Sequence, residues 1–105
     1  MDAQDVLEEM KGQGISGAIV RKDGILLHST FALTERGGQM MATVSNIADT
    51  LIKRSGDSAK ETEIAFPNLI LIMIPIKDYL FAGAIKNREH KPIVRKYALK
   101  AKSLL

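Results

Sequence analysis

Residues 12–17 read Gly-Gln-Gly-Ile-Ser-Gly, a literal G-x-G-x-x-G, the spacing with which some loops lay backbone N–H groups around a pyrophosphate. That chemistry needs a strand before the glycines and a helix after them, so that the phosphate meets the positive end of the helix. Here a helical pattern precedes the glycines and a strand pattern follows, so they are expected to stop a helix and shape a loop. The two histidines, His28 and His90, each lack a metal-ligating companion three or four residues away on a helix. His28 falls on the strand face opposite Ile25, Leu27 and Phe31, and His90 precedes the last helix, so surface or half-buried roles are expected. No glycine-rich segment ends in Lys-Ser or Lys-Thr, and no serine or threonine sits in a nucleophile-elbow context. With no cysteine, disulfides and thiolate metal sites are excluded. The expectation is a non-enzymatic chain with no catalytic residue, no cofactor and no metal.

Charge offers a second kind of chemistry. Residues 86–105 hold seven basic and one acidic side chain, a net +6, which leaves −3 for residues 1–85 in a chain of net +3. Lys91, Arg95, Lys96, Lys100 and Lys102 fall on one face of a predicted terminal helix. Such a face is ordinarily the solvated side of an amphipathic helix. As a partner surface it would suit an anionic lipid layer, nucleic acid or an acidic protein patch. Nucleic-acid grooves interleave aromatics with cations, whereas Tyr97 is the one aromatic of this segment and lies on the apolar stripe; DNA is not expected. Peripheral membrane contact stays an alternative.

The elements that position these residues follow from periodicity. A length of 105 residues is read as one domain, 1–105, able to bury roughly 65% of its unfolded surface. The start, MDAQDVLEEMK, carries four acidic residues before its first lysine, unlike a secretory signal, and with no cysteine to suggest an oxidising compartment a cytoplasmic setting is expected. The greasiest stretch, PNLILIMIPIKDYLFAGAI, has an apolar run of eight residues, Leu69–Ile76, against the ~20 that a membrane span needs. Eight is strand length, and Lys77-Asp78 reads as the turn to a returning strand over 79–86. No position in 69–74 is polar, so both faces of that strand must be covered.

Val6, Leu7 and Met10 mark a first helix that ends at Gly12 or Gly14. Strands over 15–21 and 25–31 flank Lys22-Asp23-Gly24, whose Asp-Gly pair signals a hairpin. A long helix is predicted over 38–54, with Met40, Met41, Val44, Ile47, Ala48, Leu51 and Ile52 inward, and Ala42, Thr43, Asn46, Asp49, Thr50 and Lys53 outward. The methionine pair is read as core rather than as an adaptable binding surface. Residues 55–61 form the flexible segment, 62–66 a short strand, and Pro92 opens the last helix. The fold class is α/β in the order α-β-β-α-β-β-β-α, a five-stranded, mostly antiparallel sheet covered by helices on both faces.

Three stretches resemble the roadblock/LC7 family, of profilin-like build. GISGAIVRKDGILLHS resembles its first hairpin, MMATVSNIADTLIKR its central helix and LILIMIPIKDYLFAGAI its second hairpin, in that order over most of the chain. The resemblance implies a homodimer in which the short third strand pairs with its copy and the central helices lie side by side. Carried onto this sequence, the interface would comprise Ala42, Thr43, Asn46, Thr50, Thr62, Glu63, Ile64, Ala65 and Phe66. Proline at Ile64 is expected to separate the two copies. The resemblance further implies an adaptor or regulator of a small Ras-like GTPase, as platform or hydrolysis-promoting partner, in a family that also supplies dynein light chains and signalling scaffolds. Arg36, Arg54 and Arg88 are arginines that could act in trans, with none singled out. The competing readings are a small-ligand-sensing domain and a tether acting through the basic terminal helix.

Overall fold

In the computed structural model, which describes residues 2–30, 42–46 and 61–105, Asp2 starts helix α1 (Ala3–Lys11). Its carboxylate accepts the Asp5 N–H at 3.0 Å, and the Asp5 carboxylate accepts the Asp2 N–H at 2.9 Å, a reciprocal cap for two otherwise orphaned donors. Val6, Leu7 and Met10 are fully buried, as their spacing predicts. The helix stops at Gly12, and Gly14 turns the chain at φ +83°, a conformation that favours glycine.

Five strands follow: β1 (Ser16–Arg21), β2 (Leu26–Ser29), β3 (Thr62–Ala65), β4 (Ile70–Ile76) and β5 (Tyr79–Ile85). They form one sheet in the order β2-β1-β5-β4-β3, with every neighbouring pair antiparallel. Two of its hairpin turns use a residue with positive φ. Gly24, at φ +96°, closes the Lys22-Asp23-Gly24 loop, and Lys77 takes φ +55° in the two-residue turn between Ile76 and Tyr79. A 3-10 turn, Arg88–His90, leads into the terminal helix α3 (Lys91–Lys102), which starts one residue before Pro92. Residues 42–46 are helical and are called α2.

The expected two-sided burial of the long hairpin is observed. On one face, Ile19, Ile72, Ile76, Phe81 and Ile85 pack with Leu7 and Met10 of α1 and Val94 and Tyr97 of α3. On the other, Ala18, Val20, Leu71, Met73 and Ala82 pack with Val44 of α2 and with Ile64. Successive β4 side chains therefore enter different cores, which is why the strand carries no polar position among 69–74.

Gly17 departs from the loop role expected of it. It lies inside β1, opposite Gly83 of β5. A Cβ on Gly17 would meet Met10 and the Ala82 carbonyl at 2.8 Å, and one on Gly83 would meet both Val94 γ-carbons at 2.9 Å. The glycine pair is thus the line along which α1 and α3 approach the sheet.

Two further expectations are corrected. In β2, Ile19 pairs with His28 but Val20 pairs with Leu26, so Leu27 is an extra residue. This bulge breaks strict alternation. Leu26 packs on the α2-side core, while Ile25 and Leu27 are exposed. In α2, Ala42 was expected outward but is 3% exposed, and Ser45 is 4% exposed. These residues, three apart, share one helix face. Small side chains therefore sit on the buried line, whereas a pattern weighted by large apolar residues places that line nearer Val44. The remaining residues of the predicted central helix, including Met40, Met41, Ile47, Ala48, Asp49, Thr50, Leu51 and Ile52, lie outside the described residues. So do Phe31 and most of the 55–61 segment.

Candidate interaction surface

Among the described residues β3 pairs with β4 alone and is a margin of the sheet. The Phe66 N–H donates to the Leu69 carbonyl at 2.8 Å, in register with the Thr62–Met73 to Ala65–Ile70 ladder. Bonded and non-bonded pairs alternate along an antiparallel ladder. Thr62 and Ile64 therefore direct their backbone groups to β4, and Glu63 and Ala65 direct theirs outward along the open margin. Side chains alternate with the same period: Ile64 joins the α2-side core, and Glu63 and Ala65 are exposed. At the end of the strand Phe66 is 49% and Leu69 37% exposed. On α2, Thr43 and Asn46 are exposed.

Of the nine residues carried over as an interface, the structure thus gathers Thr62, Glu63, Ile64, Ala65 and Phe66 on one margin and turns Thr43 and Asn46 outward. Ala42 is buried within the chain, and Thr50 lies outside the described residues. The backbone phase also corrects the expectation for Ile64. A proline there would remove a β3–β4 hydrogen bond, whereas the donor at position 65 points to the open side.

The basic face of α3 is largely compensated from within the chain. Arg95 donates through Nε and an η-nitrogen to the two Glu61 oxygens at 2.9 and 3.1 Å. Glu63 receives Arg88 Nε at 2.8 Å and Lys91 Nζ at 2.9 Å. Lys100 reaches Glu9 of α1 at 3.1 Å, and Lys96 and Lys100 lie 5.6 and 5.3 Å from the Tyr97 ring centroid. The Lys91 ammonium, and then the Arg88 guanidinium, hold the Glu63 carboxyl below the ordinary glutamate value. Hydrogen bonding to Glu61 raises the already high value of Arg95. Three of the five proposed partner-surface cations, Lys91, Arg95 and Lys100, are therefore ion-paired at home. Sequence reading missed these acids because they lie 28 to 91 residues away from those cations.

A groove of about 570 Å³ runs beside this cluster, floored by Ile74, Pro75 and Ile76 and walled by Ala98, Leu99 and Lys102. β3 ends its ladder opposite Met73, which leaves this end of β4 open among the described residues. His28 is half-buried and His90 exposed. No group of three potential metal ligands occurs among the described residues, and none of the described helices is long and apolar enough to cross a membrane. Arg88 is engaged by Glu63; Arg36 and Arg54 lie outside the described residues.

No protein-family model and no curated protein sequence matches the chain. Solved structures do. A roadblock/LC7 domain from Streptomyces avermitilis superposes with a TM-score of 0.80 at 11% identity, over 99% of this chain and 95% of that one. MglB from Myxococcus xanthus gives 0.79 at 17% identity over 97% and 89%. Profilin II from Acanthamoeba castellanii gives 0.70 at 17% identity over 97% and 98%. At such identities the likeness is one of fold, and the expected architecture is the one these structures share.

Proposed function

Because the chain has the roadblock/LC7 fold, we propose that it is a non-enzymatic, cytoplasmic adaptor or regulator that pairs with a second copy of itself and binds a small Ras-like GTPase. The observation that carries the self-pairing is the margin of β3, bonded on one side only among the described residues and flanked by exposed Phe66 and Leu69. An unpaired edge invites another strand. MglB has been solved in a tetrameric arrangement, which supports self-association for a chain of this fold. The GTPase rests on the resemblance of the two hairpins and central helix to the family.

Pairing β3 to its copy about a two-fold axis makes one continuous ten-stranded sheet, with the outward faces of both α2 segments on the same side. A rigid surface of that kind would act by favouring one conformation of the GTPase switch loops. The home pairing of Lys91, Arg95 and Lys100 weighs against a lipid or nucleic-acid tether.

The test compares masses by sedimentation velocity and then binding to purified small GTPases of the host, loaded with GDP or a non-hydrolysable GTP analogue. A dimer that prefers one nucleotide state is expected. Ala65→Pro should give a folded monomer, because it removes an outward donor, while Ile64→Pro should loosen β3 from β4 instead. A strict monomer with no GTPase contact would sink the proposal.

A further inference from the structure

The ion pairs between α3 and β3 show a match of two periodicities. Glu61 and Glu63 are two residues apart in an extended chain, and Arg95 and Lys91 are four apart on a helix. Those steps are about 6.7 Å and about 6 Å respectively. Running antiparallel, the helix presents Arg95 to Glu61 at 2.9 Å and Lys91 to Glu63 at 2.9 Å, while Arg88 closes on Glu63 from the 3-10 turn at 2.8 Å. All three cations come from the two elements that follow β5.

We propose that this cluster is an electrostatic clamp that readies the margin of β3 for pairing with a second copy; the inference rests on the self-pairing reading. Two physical effects act together. A four-residue strand bonded on one side frays, and any order it lacks beforehand must be imposed on association, which weakens binding. The clamp ties it to α3 in advance. In addition, a two-fold axis normal to the sheet brings the Glu61 and Glu63 faces of both copies to the same side. Like charges placed opposite each other in paired strands repel. Arg88, Lys91 and Arg95 offset those carboxylates in each copy.

The test is charge exchange. Four proteins are compared, the wild type, Arg95→Glu, Glu61→Arg and the combined Glu61→Arg/Arg95→Glu, by sedimentation for the dimer dissociation constant and by hydrogen exchange for the amides of residues 62–65. Exposed pairs each carry a factor of roughly 1.5–5, and a reversal adds repulsion, so each single change should raise the constant and the β3 exchange rate about tenfold. The combined protein should return to within about threefold of wild type in both readings. Unchanged β3 exchange in both single variants, or a combined variant no better than they are, overturns the clamp. Exchange that responds while the dissociation constant does not overturns its role in pairing. A wild-type chain that remains monomeric overturns self-pairing itself, and the exchange data then decide whether β3 is clamped.

Discussion

Replacing Gly83 with alanine would place a methyl carbon 2.9 Å from both γ-carbons of Val94 and 3.5 Å from its Cβ. Ordinary carbon contacts lie at about 3.5–4.0 Å, so the new group is too close by ~0.5–1 Å. Val94 has little room to yield. It is fully buried, and a β-branched side chain on a helix holds one rotamer. The alternative is to lift α3, which also seats the buried Tyr97, Ala98 and Ala101. Overpacking of this kind costs about 1–3 kcal/mol. Alanine also stiffens the unfolded chain, which returns about 0.4–1 kcal/mol, since Gly83 is not in the left-handed region. The expected net loss is about 1–2 kcal/mol, read by calorimetry or circular dichroism as a fall in Tm of about 5–15 °C. Val94→Ala alone should cost about 1.5–3 kcal/mol through lost burial and a cavity. In the double variant the new methyl occupies the space vacated, so the loss should fall short of the sum by about 1 kcal/mol or more. A Gly83→Ala protein within about 0.5 kcal/mol of wild type, or a strictly additive double variant, would refute the seating of α3 at this glycine.

Tyr97→Phe should lose about 0.5–1.5 kcal/mol, because Gln13 donates to the tyrosine hydroxyl at 2.6 Å across the α1–α3 seam; urea denaturation of the variant beside Gln13→Ala checks whether the two losses share one bond. Acid should loosen the β3 side of the molecule. The Glu63 carboxyl is held down in the folded state by Lys91 and Arg88, and that of Asp2 by the Asp5 N–H, so the unfolded chain binds protons more readily. The stability they add is present above the ordinary carboxylate range and is lost as pH falls through the lowered folded values. Thermal unfolding scanned downward from neutral pH should show a decline that is shallower in Glu63→Gln, and identical profiles would contradict the assignment.

The described strands and terminal helices were legible in the chain, because each rests on a short-range signal. Eight apolar residues ending at Lys77-Asp78 are too few to cross a membrane and too uniformly greasy for a half-exposed strand, and β4 is accordingly buried on both faces. The Asp-Gly turn, the acidic start of α1 and Pro92 likewise located a hairpin and two helix ends to within a residue or two. Thr62–Ala65 was legible as a strand from alternation, within the predicted 62–66.

The remaining features depend on where distant segments meet. Alternation says which side chains share a face of β3, but not which backbone donors point away from β4. That phase is fixed by the pairing with Leu69–Met73, and it moved the informative proline from residue 64 to 65. The same holds for Gly17 and Gly83, whose need to be glycine appears only when they stand opposite each other beneath two helices. The bulge at Leu27 and the burial of Ala42 belong here too, since each depends on the partner surface rather than on the segment's own period. The basic face of α3 is the plainest case. Its cations were visible as a run of charge, yet their meaning lay with Glu61, Glu63 and Glu9. Coulomb attraction acts through space, and a linear pattern records no distance between residues that the fold brings within 3.1 Å.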